Sequence, residues 1–149
     1  MLYTVGEMAK LLGVAPSTLR YYDKEGLLPF VERSEGGIRM FKESDYEWLK
    51  IIECLKKTGM PLKDIRDFVY MVLEGDETIA ERLALFKKQR ETVLQKMSEL
   101  QEMLDTLNYK CWFYETALEA GTTAVPGEMP DDEIPPQFAE VRKKLKNGA

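Results

Sequence analysis

Ser17, Arg20, Tyr21 and Lys24 stand at i, i+3, i+4 and i+7. A helix running through them presents hydroxyl, phenol and two cations on one face. Cations and hydroxyls at that spacing suit phosphate oxygens, and Arg and Tyr can reach groove edges. Thr18 flanks the stripe, and Tyr22 is counted with it, although Leu19 and Tyr22 also fall toward the side expected to meet a core. An ordinary solvated helix face has the same look, so the stripe alone does not decide. Two further basic points strengthen it. Arg33 and Arg39 bracket Gly36-Gly37, where the missing side chain at Gly37 allows backbone to approach a phosphate. Lys63 falls in the first turn of a helix opened by Pro61, where free N–H groups and the dipole already favour an anion. Thr4, whose hydroxyl is placed to cap the first helix, completes the candidate DNA-binding set.

The chain excludes other chemistry by what it lacks. Its 149 residues contain no His and two Cys, Cys54 and Cys111. A Ser-His-Asp triad, an imidazole acid–base pair and a zinc finger are therefore excluded, and no metal site is expected. Thiols this far apart form no chelating pair and are too few for a secreted disulfide scaffold. No paired-carboxylate cleft is readable, so an enzyme is not expected. Neither a secretory leader nor an apolar run of the roughly 18–20 residues a membrane span requires is visible. The expectation is a cytoplasmic protein, associated with the nucleoid if it binds DNA.

Net charge is −5, which taken globally argues against nucleic acid. Residues 1–70, however, carry 11 basic and 11 acidic side chains, and the deficit lies in the remainder with 10 and 15. The N-terminal half is neutral, so affinity there must rest on geometry more than on bulk charge.

The elements that would position these residues follow from local pattern. Thr4-Val5-Gly6-Glu7 is a capping box, followed by Val5, Met8, Ala9 and Leu12 at helical spacing and Gly13 as a stop. Pro16 opens a second short helix that ends near Gly26. Two short helices joined by a Gly-containing turn read as helix-turn-helix. Arg33 to Phe41, with Gly-Gly inside it, reads as a small hairpin wing. Ser44-Asp45 then cap a third helix with Trp48, Ile51, Ile52 and Leu55 inward, and Pro61 opens a fourth that stops at Gly75.

From residue 78 the pattern changes. Ile79, Leu83, Phe86, Arg90, Val93, Met97, Leu100, Leu104, Leu107, Cys111, Tyr114 and Leu118 are spaced four and three alternately. That heptad seam spans roughly 60 Å of helix and needs a partner to bury it. Self-association supplies one; folding back on its own domain would be the other solution. Residues 122–136, with Pro126, Pro130, Pro135 and Pro136 among acidic residues, read as a flexible acidic linker before a short basic helical end. The expected organisation is 1–75 DNA-binding, 76–121 dimerisation helix and 122–149 tail. The fold class is mainly α: a winged helix-turn-helix with a small β wing, followed by a long coiled-coil helix.

Tyr3-Thr4-Val5-Gly6-Glu7-Met8-Ala9, Thr18-Leu19-Arg20-Tyr21-Tyr22-Asp23, Gly26-Leu27-Leu28-Pro29 and Arg33 through Phe41 together resemble the MerR family of bacterial transcription regulators. The likeness covers roughly residues 2–120, with Ile38 and Met40 standing where aromatics are common in the wing. It implies a homodimer with antiparallel long helices on double-stranded promoter DNA. It further implies RNA polymerase as an indirect partner and an effector that bends and untwists the DNA. No cofactor follows from it. The principal alternative is a coiled-coil interaction protein without DNA binding, which would leave the wing and basic stripe unexplained.

The effector class stays open at this level. Metal-sensing relatives carry thiolates near the start of the dimerisation helix, where this chain has none. The setting of Cys54 resembles the subgroup that answers aldehydes, electrophiles or nitrosative stress through one thiol, with Lys50, Lys56 and Lys57 close enough to favour thiolate. A buried packing residue is the other reading. Cys111 falls in the heptad seam, where packing is the expectation. Tyr109, Trp112, Phe113 and Glu115 would serve either as an effector pocket or as aromatic packing.

Overall fold

The computed structural model describes residues 1–147. The chain divides into two compact units, Met1–Glu91 and Thr92 onward. The first contains β1 (Leu2–Tyr3), α1 (Val5–Leu12), α2 (Pro16–Lys24), β2 (Glu32–Arg33), β3 (Arg39–Lys42), α3 (Glu43–Lys57), α4 (Leu62–Glu74) and the start of α5 (Ile79–Ala120). The second holds the rest of α5, then α6 (Ala124–Gly127) and α7 (Ala139–Asn147).

The capping box forms as its residues dictate. Thr4 Oγ1 accepts the Glu7 N–H at 3.2 Å, and Glu7 Oε2 accepts the Thr4 N–H at 2.8 Å. Gly13 then closes α1 at φ 72°, a left-handed conformation that a side chain would strain. The helix pair is thereby fixed in a few residues. Its apolar sides meet in a core of Met8, Leu19, Tyr22, Leu27, Phe41, Leu49, Ile52, Ile65 and Val69, each essentially inaccessible to water.

The wing is a three-stranded antiparallel sheet ordered β1-β3-β2. Leu2 pairs with Lys42 and Tyr3 with Phe41, so the first residues of the chain form a strand that the pattern of alternation was too short to announce. Glu32 pairs with Met40 and Arg33 with Arg39. The turn between them closes through the Ser34 N–H to the Ile38 carbonyl and the Gly37 N–H to the Ser34 carbonyl, both 2.8 Å.

Helix α3 begins at Glu43, one residue before the expected cap, because Asp45 accepts the Lys42 N–H at 2.8 Å. Trp48 lies between Phe30 and Phe68, with ring centroids 6.0 and 6.2 Å away. Ile51 departs from the expectation that it turns inward: it is 41% exposed, while Ile52 and Leu55 are buried. Gly75 ends α4, and Thr78 Oγ1 hydrogen-bonds to the carbonyls of Met71 and Gly75. Arg82 returns from α5 to the Gly75 carbonyl at 2.8 Å, and Phe86 sets its ring edge-on to Phe68 at 5.0 Å.

In the second unit, residues 122–136 are not the flexible linker their proline and acid content suggested. The segment forms α6 and two 3-10 turns. Pro126 and Ile134 are buried, and Phe138 packs against Tyr109 and Trp112 at 6.1 and 5.6 Å. Arg142 of α7 is the staple. Its guanidinium donates to the carbonyls of Pro126, Gly127 and Met129 at 3.0, 3.1 and 2.8 Å. The prolines break regular helix, and a buried cation collects the carbonyls that the breaks leave unpaired.

Beyond residue 92, α5 therefore has two working faces. The tail packs on Tyr109, Trp112 and Phe113, and Thr116 and Ala117 on the same side are shielded from water as well. Leu100, Leu104, Leu107, Tyr114 and Leu118, between 49% and 84% exposed, lie on the opposite face and carry the heptad seam.

Candidate nucleic-acid interface

Helix α2 owes its start to Pro16 and its position to Leu19 and Tyr22, which anchor its inner side. That anchoring turns Ser17, Arg20, Tyr21 and Lys24 outward; all four are exposed, and Tyr21 retains 47% of its surface. Thr18 is half-buried beside them. The outward face thus holds the hydroxyl, phenol and cations that the spacing implied. Among the described residues neither Arg20 nor Lys24 forms an ion pair, whereas the wing arginines are engaged.

Tyr22 does not belong to that face. It is fully buried, and its hydroxyl donates to Glu53 Oε1 of α3 at 2.5 Å. A phenol buried this far from water satisfies its O–H only by a hydrogen bond made inside the protein. Burial, then the hydrogen bond to Glu53 and the charge of that carboxylate, raise its pKa above the ordinary tyrosine value. Lys56 completes the arrangement, its ammonium 5.2 Å from the ring centroid of Tyr22.

The wing arginines are brought together on one carboxylate of α2. Arg33 Nη2 and Arg39 Nε both donate to Asp23 Oδ2 of α2, each at 2.7 Å. Arg33 Nη1 also donates to the Gly37 carbonyl at 2.9 Å. Gly37 itself, at φ 79°, is exposed with nothing within 4 Å of a Cβ built on it. Its backbone was expected to approach a phosphate; its N–H is used within the turn, on the Ser34 carbonyl. Thr4 likewise spends its hydroxyl on the capping box. Lys63 is 73% exposed near the start of α4, with Asp67 one turn away at 3.3 Å. Asp23 and Glu53 were not singled out from the sequence as site residues. Their partners lie 10 to 31 positions away, beyond the reach of any helical or strand period.

Cys54 is exposed. It shares a cleft with Leu11, Gly13, Tyr46, Lys50 and Lys57, so a small packed core residue is not what the fold makes of it. Cys111 is exposed as well, on the seam side of α5. Tyr109 is buried against Trp112, Phe113 and Phe138, and Glu115 is exposed. The aromatic group, read from the sequence as either an effector pocket or packing, meets Phe138 of the chain's own tail. Among the described residues no cluster of three or more His, Cys, Asp or Glu could hold a metal ion. No helix among them is long and apolar enough to cross a membrane.

A short helix pair, a basic outward stripe and a hairpin wing locked to that stripe define a winged helix-turn-helix DNA-binding regulator. Residues 3–71 match the family model described as MerR HTH family regulatory protein, and residues 46–109 match that described as MerR, DNA binding. The chain belongs to the MerR family of helix-turn-helix transcription regulators. An uncharacterized HTH-type transcriptional regulator of Haemophilus influenzae is 48% identical over 82% of this chain and 90% of its own. The HTH-type transcriptional regulator ZntR of Escherichia coli is 33% identical over 74% and 81%. A crystal structure of HiNmlR, described as a MerR family regulator lacking the sensor domain and bound to promoter DNA, superposes with a TM-score of 0.70. It has 47% identity and covers 83% of this chain and 98% of that one.

Proposed function

We propose that this regulator works as a homodimer on promoter DNA, with Ser17, Thr18, Arg20, Tyr21 and Lys24 in the major groove and Lys63 on a flanking phosphate. The exposed seam of α5 supplies the self-association, since a row of half-exposed Leu and Met along a long helix is stable in water only when paired. Twofold symmetry then sets the two recognition helices at a fixed spacing on a near-palindromic site. A protein that bends or untwists such a site must supply about 1–6 kcal/mol of deformation energy, and an effector acts by shifting which state it favours. The role is regulatory and non-catalytic, in the cytoplasm, with RNA polymerase meeting the protein only through the DNA.

Cys54 is the effector group in this reading, and its exposure carries the proposal. Its thiol opens into a cleft bordered by Lys50 and Lys57. Thiolate adds to an aldehyde carbon, the new C–S bond forms, and the carbonyl oxygen takes up the proton the thiol lost. No atom leaves, and the hemithioacetal reverts when the aldehyde is removed. Cys54 neighbours Glu53, which holds Tyr22 beneath the recognition helix, so a change in the cleft lies one residue from the support of α2. The test is a reporter driven by the adjacent promoter, challenged with formaldehyde, a larger electrophile, a cationic dye and zinc. Induction by aldehyde in the wild type and its loss in Cys54→Ser support the assignment. Full aldehyde induction in that variant refutes it.

A further inference from the structure

Within the N-terminal unit, one carboxylate oxygen takes charge of both wing arginines. Asp23 Oδ2 receives Arg33 Nη2 and Arg39 Nε, each at 2.7 Å. The two arginines face each other as a cross-strand pair of β2 and β3, so their heads converge on one point. Asp23 is only 17% exposed and Arg39 23%, whereas Arg33 remains 49% exposed. A carboxylate beside the DNA-facing stripe of a recognition helix would by itself repel phosphate. Here it is compensated, and the compensation consumes the two cations best placed on the wing.

We propose that Asp23 is a positioning residue that ties the wing to the recognition helix and withholds Arg33 and Arg39 from indiscriminate contact with phosphate. This rests on the DNA-binding reading above. Phosphate contacts carry no sequence information but supply most non-specific affinity. Keeping two arginines on an internal carboxylate lowers that background. It also holds the wing against α2, while the Gly37 carbonyl, accepting from Arg33 at 2.9 Å, stiffens the hairpin itself. The neutral balance of residues 1–70 acquires a physical meaning: part of the positive charge is already spoken for by the fold. Discrimination then depends on the exposed stripe of α2.

The experiment uses the full chain with two duplexes, one from its own upstream promoter region and one of scrambled sequence and equal composition. Affinity is measured against salt from about 50 to 200 mM. Asp23→Asn keeps the side chain's shape and removes its charge. On the scrambled duplex it is expected to tighten binding several-fold and to steepen the plot of log K against log salt by about 0.9 for each arginine that reaches a phosphate. The ratio of promoter to scrambled affinity falls. Asp23→Glu restores the ratio in part. The triple variant Asp23→Asn, Arg33→Gln, Arg39→Gln returns the slope to the wild-type value or below, which a merely loosened wing would not do. Circular-dichroism melting confirms that each variant is folded; should Asp23→Asn melt early, Arg33→Gln with Arg39→Gln in the wild-type background keeps the question open to refutation. That pair is expected to leave the scrambled slope nearly unchanged, and a slope flatter by about 0.9 per arginine overturns the proposal. A folded Asp23→Asn protein with unchanged slope and ratio also overturns it. A wild type that binds neither duplex overturns the DNA-binding reading itself, and the two failures are thus told apart.

Discussion

Tyr22→Phe isolates the contact that joins the recognition helix to α3. The substitution keeps the ring, which is fully buried, and deletes only the hydroxyl that donates to Glu53 at 2.5 Å. A hydrogen bond to a charged partner is worth about 1.5–3 kcal/mol. Glu53 is half-buried, so its carboxylate regains water when the phenol is gone, and a loss near 1.5 kcal/mol at pH 7 is expected. The pH dependence sharpens the test. Burial first, then the hydrogen bond and charge of Glu53, hold the folded phenol above the ordinary tyrosine pKa of about 10. The stabilisation is therefore complete below pH 10 and is lost as pH rises beyond it, because the unfolded chain ionises first. The fall is about 1.4 kcal/mol per pH unit, so wild type and Tyr22→Phe should converge near pH 11. Urea titrations at pH 7, 9 and 11, at one chain concentration and with unchanged m-values, measure the difference directly. A gap that is absent at pH 7, or that stays constant to pH 11, refutes the account of this contact.

Four further outcomes follow from the described contacts. Arg20→Ala should abolish recognition of the promoter duplex in a mobility-shift assay while the mass by light scattering stays that of a dimer. Leu104→Asp, at a seam position 49% exposed in the single chain, should convert the protein to monomer in sedimentation with little change in the fold of residues 1–91. Arg142→Ala removes a buried cation from three carbonyls; a loss of about 2–4 kcal/mol localised to the tail should appear as rapid proteolysis after residue 121. Cys54→Ser should leave promoter affinity in the absence of aldehyde within about twofold of wild type, in keeping with an exposed thiol and surface substitutions of a few tenths of a kcal/mol.

Much of the N-terminal unit could be read from local signals. The Thr4–Glu7 box, Gly13, Pro16, Pro61 and Gly75 each act within one turn of helix, and each punctuates the chain where its chemistry implies. The outward stripe of α2 was legible for the same reason: its spacing is that of one helix face. What escaped were relations across the chain. A two-residue strand such as Leu2–Tyr3 has no period to detect, and it exists because β3 offers it an edge. Tyr22 carries the same phenol as Tyr21 and turns inward by its place three residues after Leu19, but its partner Glu53 lies 31 positions away and left no local sign. That Arg33 and Arg39 share Asp23, 10 and 16 residues earlier, has no local period to announce it. The tail misled through composition. Proline and acid content argues for an unpacked chain on average, but Phe138 and Arg142 outweigh that average at particular points.

The two faces of α5 beyond residue 92 respond differently to dilution. The tail's attachment is intramolecular, so its stability is independent of how many molecules are present. In the proposed homodimer the seam at Leu100, Leu104, Leu107 and Leu118 is bimolecular, and its occupancy falls with concentration by mass action. A cell that lowers the amount of this protein therefore changes how much dimer is ready to bind without loosening the tail. Because DNA with two half-sites favours the paired form, the promoter itself raises the local concentration of one subunit for the other. Expression level thereby becomes a control variable that acts on the seam alone.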